Sequence, residues 1–466
     1  MKKNPAFNVF LGSMFMKRIF PLLVLCLAAG VTMGVNAWAA DTGEPLSLSE
    51  AIAAALAHNP QVAADQHAEA AAAYQATAAR SGLLPQVYAS ETFNHTNSPL
   101  WAFGTKLNQG AIQSSDFNPA TLNDPDTINN FATALSVSWN LFDGGQTRIG
   151  WDQARQGEKI ATLNLKRSQE RIIAQAAEAY VGLLLSVENH LVVVQALETA
   201  QAHFKLVQDR FHNGLSVKSD VLRAQVRIAD LQQQRLAAES GIQVAQAMLH
   251  AAMGQPDLGQ ISPTTPLENC TPTQGGLDQW IAQALDRRTD LQQVALQEDI
   301  AAKEITRARA GHYPTVALQG NYEIDSEAFD DSHDNYTLGA VLRVNLYSGQ
   351  RISSQAAAAK AMLAKVQALR KAMELGVRVQ TQSAFYHAQS SWQSIAVARD
   401  AVSQAEEGLR IVANRYRGGL LTIVDLLDAQ TALQQARTQH FKALHDYKVA
   451  RIELALATGT IDKDFK

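Results

Sequence analysis

Apolar side chains recur along this chain with two different periods, and each change of period marks a change of element. Tyr180, Leu184, Val187, Leu191, Val194, Leu197, Phe204, Val207 and Phe211 follow steps of three and four residues. Sustained over many turns, that spacing makes the seam of a coiled coil. No proline interrupts the chain from Gln146 to Phe211, so the predicted rod runs about 100 Å at ~1.5 Å per residue. A second seam follows in Val221, Ala224, Ile228, Leu231, Arg235, Ala238, Ile242, Ala245 and Leu249. A third runs through Leu426, Ala429, Leu433, Ala436, His440, Ala443, Tyr447, Ala450 and Leu454. Their alanines let helix backbones approach closely, as a tightly walled tube requires. By themselves, though, the helices fit an ordinary bundle or solenoid equally well.

Elsewhere the period falls to two. Leu135, Val137, Trp139 and Leu141 alternate with Ser136, Ser138 and Asn140, and Leu338, Ala340, Leu342, Val344 and Leu346 alternate with Gly339, Val341, Arg343 and Asn345. One apolar and one polar face over about ten residues is what a lipid-facing barrel strand needs. Two further candidate strands, Leu84–Asn94 and Tyr313–Tyr322, precede these. A half-buried soluble sheet would show the same alternation, but the connections at one end, Asn94–Asn130 and Glu323–Asn335, are long and polar and suit the outer face of a membrane barrel.

The chain also repeats itself. Arg210-Phe-His-Asn-Gly-Leu-Ser-Val-Lys-Ser-Asp-Val-Leu-Arg-Ala-Gln225 returns as Arg415-Tyr-Arg-Gly-Gly-Leu-Leu-Thr-Ile-Val-Asp-Leu-Leu-Asp-Ala-Gln430, with seven of sixteen positions identical. The same offset of 205 carries Asn140-Leu-Phe-Asp-Gly144 onto Asn345-Leu-Tyr-Ser-Gly349 and Ala179-Tyr180 onto Ala384-Phe385. Nearer the start the offset is 229, so an insertion of 24 residues lies between Val87 and Asn140. The expected organisation is a first structural repeat over 40–253, a linker rich in Pro, Thr and Gly over 254–276, a second repeat over 277–459 and a tail over 460–466. Each repeat reads as short helix, helix, strand, strand, very long helix, helix.

Residues 1–39 read as a secretory signal: Lys17 and Arg18 precede the apolar run Ile19 to Val35, and Ala37-Trp38-Ala39 offers a cleavage site before Ala40. Met16 is an alternative start, and Leu25 before Cys26 is larger than a lipoprotein signal wants. Removing the segment would leave Cys270 as the sole cysteine, with no internal disulfide. It would also take four cations and no acid, moving the formal net charge from −4 to −8, so nucleic acid is not an expected partner. Beyond residue 40 no stretch reads as a membrane-spanning helix; Val181 to Val194 is broken by Glu188, Asn189 and His190. A membrane location therefore requires a closed β-barrel, and four strands cannot close one when about eight are the minimum. Several chains must share the sheet.

The repeated segment Arg-(Phe/Tyr)-x-x-Gly-Leu-x(4)-Asp-x-Leu, with Asn-Leu-(Phe/Tyr)-x-Gly where a strand hands over to a helix, resembles the TolC family of outer-membrane efflux proteins. The resemblance covers essentially the whole mature chain. It implies a mainly α fold with a β-barrel part: a long coiled-coil helical barrel continued by a transmembrane β-barrel, internally duplicated, with four strands per chain and twelve in a homotrimer. It also implies a passive outer-membrane channel-tunnel of a Gram-negative bacterium, with its helices in the periplasm. A periplasmic adaptor and an inner-membrane transporter would be its partners, in efflux of small molecules or type I secretion.

The family pattern places the turns at Gly214, Leu215, Gly419 and Leu420 at the closed periplasmic tip, as adaptor contacts. Asp425 and Asp428, three apart and so on one helix face, match acids that ring the narrowest part of the tunnel. Such a ring would attract cations, and mutual repulsion would raise some of the carboxyl pKa values. A solvated helix face with Asp425 near the helix start is the plainer reading. Tyr416 and Asp220 match residues that latch neighbouring helices at the tip. Leu421 departs from the pattern, standing where an arginine reinforces the latch; Arg415 or Arg417 are substitutes. No Gly-rich phosphate loop, metal-ligand spacing or nucleophile elbow is present, so neither catalysis nor a cofactor is expected. A non-pore periplasmic coiled-coil adaptor and an autonomous porin are the alternative functions.

Overall fold

The computed structural model describes residues 44–256, 259–328 and 331–465; the expected signal segment, with Met16 and Cys26, lies outside the described residues. The chain opens with a short strand β1 (Glu44–Leu46) and the helices α1 (Leu48–His58) and α2 (Pro60–Ser81). A capping box starts α1: the Ser47 amide donates to Glu50 Oε2 at 2.8 Å, and the Glu50 amide returns a bond to Ser47 Oγ at 3.3 Å. Strand β2 (Gln86–Thr96), helices α3 (Pro99–Asn108) and α4 (Pro119–Asn123), and strand β3 (Ile128–Phe142) complete the first hairpin. Two long helices follow, α5 (Gln146–His212) and α6 (Lys218–Met253). After a short strand β4 (Ile261–Pro263) come α7 (Leu277–Arg287), α8 (Thr289–Arg309), β5 (Thr315–Ser326), β6 (Ser332–Arg343), α9 (Arg351–Arg417), α10 (Ile423–Thr458) and a final turn α11 (Ile461–Asp464).

The duplication is exact in length where it matters. Helices α5 and α9 both have 67 residues and α6 and α10 both have 36, and each pair starts and ends 205 apart. The start of α1 maps onto that of α7, and the start of α2 onto that of α8, at the offset of 229. The inserted residues fall between β2 and β3, over 97–127, against only 327–331 between β5 and β6.

The four long strands make one antiparallel sheet in the order β2-β3-β5-β6, which leaves β2 and β6 as open edges. Its register settles the two faces. Val87, Val137, Gly320 and Leu338 share one row, and Ala89, Leu135, Tyr322 and Tyr336 the next. On the other face Tyr88, Ser136, Asn321 and Thr337 lie side by side, with Ser136 Oγ donating to Asn321 Oδ1 at 2.8 Å. The apolar rows from Tyr336 to Leu342 span about 20 Å of strand, and above them the row turns mostly polar, with Glu91, Thr133 and Asp334 beside Ile324. β6 stops at Arg343, short of the expected Leu346, whereas β3 continues to Phe142. β6 has a single partner, β5, which begins at Thr315 opposite Arg343; Pro314 before it has no amide to donate, so the residues after Arg343 lack hydrogen bonds to hold them extended.

Among the helices, α5 packs against both α6 and α10. The α6 seam holds, with Val221, Ala224, Leu231, Ala245 and Leu249 buried. The α5 seam fails at one place: Leu191 is 53% exposed, while Val192 and Val193 are buried. A helix held between two neighbours presents two stripes, and a single three-four stepping pattern follows only one. α5 also contains an 18-residue window apolar enough to cross a bilayer by composition, contrary to the sequence reading. Its Ile173, Tyr180, Val181 and Leu183 belong to the core shared with Ile52 of α1 and Leu249 of α6.

The linker and tail are built into that core. β4 pairs in parallel with β1, Tyr180 donates to the Leu46 carbonyl at 2.9 Å, and the Thr265 amide donates to the Tyr180 hydroxyl at 3.0 Å. Tyr447, fully buried on α10, donates to the Thr271 carbonyl at 2.5 Å. Ile461 in the tail is buried in the same cluster. The segment between the repeats thus straps both long-helix pairs together through two buried phenols.

Candidate functional site: the helical tip

Both long-helix pairs reverse direction at the same end, through copies of one turn. The Leu215 amide donates to the Arg210 carbonyl at 2.8 Å and the Gly214 amide to the Phe211 carbonyl at 3.0 Å. Leu420 and Gly419 repeat these bonds to Arg415 and Tyr416, each at 3.0 Å. This is the Schellman pattern, whose residue after the helix must be left-handed; Gly214 and Gly419 have φ of 72° and 75°. The next residues, Leu215 and Leu420, are 67% and 77% exposed, so the turns project two leucines into solvent.

Behind the turns lies a small core of Val207, Val221, Ala413, Tyr416, Ile423 and Leu426, drawn from all four long helices. Tyr416 is buried, yet its hydroxyl finds no hydrogen-bond partner among the described residues. Burial pushes its phenol above the ordinary range, with nearby Asp220 acting in the same direction and Arg210 against it. The Asp220 carboxylate accepts from Ser216 Oγ at 2.8 Å instead. Within one protomer the tyrosine and the aspartate are neighbours that share no hydrogen bond.

A residue outside the expected site spans the tip. Arg210, on α5, donates from Nη1 to the carbonyls of Tyr416 and Arg417, at 3.0 and 2.9 Å, and its guanidinium lies 5.2 Å from the centroid of the Tyr416 ring. Those carbonyls belong to the last turn of α9, where helix C-termini present unsatisfied acceptors and negative partial charge. One side chain therefore satisfies the end of α9, covers its tyrosine and fastens the first helix pair to the second. Arg210 was visible in sequence as one of the repeated residues. Pattern alone did not say that its fork crosses to the other repeat, while Arg415 and Arg417 make no such crossing bonds among the described residues.

Asp425 and Asp428 both sit exposed at the start of α10, beside the buried Ile423 and Leu426. Asp425 closes a capping box: the Thr422 amide and hydroxyl donate to its Oδ2 at 2.8 and 2.7 Å. The Thr422 hydroxyl, then its amide, hold this carboxyl below the usual range. By the offset of 205, Asp425 is the counterpart of Asp220, whereas Asp428 corresponds to Arg223; the paired acids exist only in the second repeat.

Comparison with known proteins places this architecture. The sequence profile described as "Outer membrane efflux protein" matches residues 51–255 and 280–460, one segment per repeat. Outer membrane protein TolC of Vibrio cholerae serotype O1 is 25% identical over 459 residues, covering 96% of this chain and 97% of that protein. Alkaline protease secretion protein AprF of Pseudomonas aeruginosa is 24% identical, over 90% of this chain and 85% of its own. The solved structure of the outer membrane protein VceC from Vibrio cholerae shares the fold, with a TM-score of 0.73 at 22% identity over 88% of this chain and 96% of that one. The chain belongs to the outer membrane efflux protein family: it is an outer-membrane efflux or secretion channel whose sheet lies in the membrane and whose long helices stand in the periplasm.

Proposed function

We propose that three copies of this chain form a passive exit duct, closed at the helical tip and opened when a periplasmic adaptor and an inner-membrane transporter engage it. The observation that carries this reading is the sheet. It has one apolar face, one polar face and two unpaired edges, and its strands β3 and β6 lead within a few residues into the 67-residue helices α5 and α9. An open edge in lipid leaves backbone groups without partners, so the sheet must be completed by further copies. Twelve strands from three chains would enclose a lumen lined by Ser136, Asn321 and Thr337 and their equivalents.

At the tip the exposed Leu215 and Leu420 are the adaptor contacts, and Asp425 and Asp428 from three copies form an acidic constriction. Arg210, lying over Tyr416, holds the two helix pairs of each copy together. Opening separates these pairs, and no step needs chemistry within the chain. The transporter selects the cargo, either small molecules or, as in the secretion relatives, proteins. In planar bilayers the purified oligomer should show discrete channel events that multivalent cations reduce. Asp425→Ala/Asp428→Ala should raise the cation concentration needed for that reduction at least tenfold. Silent but correctly assembled oligomers would sink the duct, and unchanged block would remove the two aspartates from the constriction.

A further inference from the structure

The connection between β2 and β3, over 97–127, is a braced structure. Lys106 Nζ lies 2.9 Å from Asp116 Oδ1, Phe103 and Phe117 meet edge to face at 5.8 Å, and the Gln113 amide donates to Asp116 Oδ2 at 2.7 Å. Its first helix, α3, is docked on the sheet. Gln109 Nε2 donates to Asn130 Oδ1 and to the Asn129 carbonyl, both at 2.8 Å. Gly110 sits so close to the His333 ring that a Cβ there would stand 2.5 Å from Nε2.

The side of the sheet that α3 covers follows from alternation. Asn130 is in phase with Ser136, and His333 with Thr337, so both face the polar, pore-lining side. Asp325, in the same row as His333, is fully buried and accepts from Asn130 Nδ2 at 2.6 Å and Asn335 Nδ2 at 3.1 Å. The insertion therefore folds into the lumen at the end of the barrel remote from the helices. Ala102 and Gln109 point at the sheet and are 1% and 6% exposed. Leu100 and Leu107, on the opposite side of α3, are 81% and 50% exposed, with Trp101 beside them at 68%.

An element lying on the pore-facing side turns its free side towards the axis that the copies share. Lipid does not reach that space, and the free side of α3 carries no charge. Since β2 and β6 are open edges, every copy that completes the barrel brings its own α3 to the same end of the same axis. We propose that Leu100, Trp101 and Leu107 of neighbouring copies pack against one another there, forming an apolar outer closure separate from the tip. This rests on the reading of a pore completed by several copies. Burial of exposed leucine and tryptophan surface supplies the attraction, and passing cargo must part it.

The test is cysteine cross-linking in whole cells, in a Cys270→Ser background, with a short bismaleimide. Leu100→Cys and, separately, Leu107→Cys should shift most of the chain from the monomer to the dimer position on a denaturing gel. Leu338→Cys, on the apolar outer face, should stay monomeric. An intact oligomer on an unheated gel, with no link at either position, overturns the outer closure and leaves the pore standing. Absence of any oligomer in the outer membrane overturns both.

Discussion

At the scale of single residues the tip turns on Arg210. Its two bonds end on main-chain carbonyls of Tyr416 and Arg417, so no substitution in α9 other than one that moves the backbone removes the acceptors. Loss of a charged donor costs about 1.5–3 kcal/mol. If that loss falls on the closed state, Arg210→Ala should raise the open population roughly 10- to 100-fold. Single-channel recording would show it as higher resting conductance, with Arg210→Lys between the two. An unaltered conductance would make Arg210 a helix cap and nothing more. Gln350 offers a second single-residue test. It is the only non-glycine with positive φ among the described residues, at 64°, and its counterpart in the first repeat is Gly145, at φ 86°. An L residue in that region carries about 1–2 kcal/mol of strain, of which glycine's greater unfolded entropy returns part. Gln350→Gly should raise the temperature at which the oligomer dissociates, and Gly145→Gln should lower it; no change in either would show that neighbouring contacts set the local backbone.

At the scale of elements, the caps of α6 and α10 differ in a way that reaches the proposed constriction. α10 begins with the Thr422–Asp425 box, while α6 has Val217 at the equivalent cap and no side-chain cap bond. Thr422→Val removes a helix cap worth about 1 kcal/mol and also the hydroxyl that holds Asp425 ionised. The Asp425 carboxyl is depressed in the folded state, so its contribution is present above the unfolded value and disappears as pH falls through the folded one. Block by multivalent cations needs the ionised form, and in the variant it should fade at a higher pH than in the natural chain. A pH titration of the block checks this, and superimposable curves would mean Asp425 does not hold the cation. The elements themselves were largely legible: two periods and two offsets located every long helix and all four strands. The misses have physical causes. Leu191 fell off the seam because α5 serves two neighbours, and β6 stopped at Arg343 because its one partner, β5, begins opposite that residue, behind Pro314. The linker looked like loose Pro- and Gly-bearing chain because strand pairing between β4 and β1, and bonds to Tyr180 and Tyr447, are contacts across more than eighty residues that no local pattern encodes. At the tip the turn glycines, the acids and Tyr416 could be read, but the direction of the Arg210 side chain could not.

For the whole molecule the decisive physical statement is that the two faces of one sheet meet different solvents. Thr337 and Leu338 are adjacent on β6 and point to opposite sides. Leu338 is 79% exposed in the single chain, in the row it shares with Val137 and Val87; Thr337 shares its row with Asn321 and Ser136. In a water-soluble sheet an exposed leucine replaced by arginine would be neutral or beneficial. In a barrel the same change puts a cation in hydrocarbon, at about 2–4 kcal/mol near the midplane and less towards either interface. Three copies would repeat the cost three times in each assembled barrel. Leu338→Arg should therefore reduce the yield of heat-resistant oligomer in the outer membrane several-fold, while Thr337→Arg should assemble normally and shift the pore's preference from cations towards anions. Equal assembly of the two variants would mean that lipid does not touch the Leu338 face. That outcome would also undo the argument for the lumen, because the pore-facing assignments of Thr337, Asn321 and Asn130 all follow from the alternation that makes Leu338 face outward.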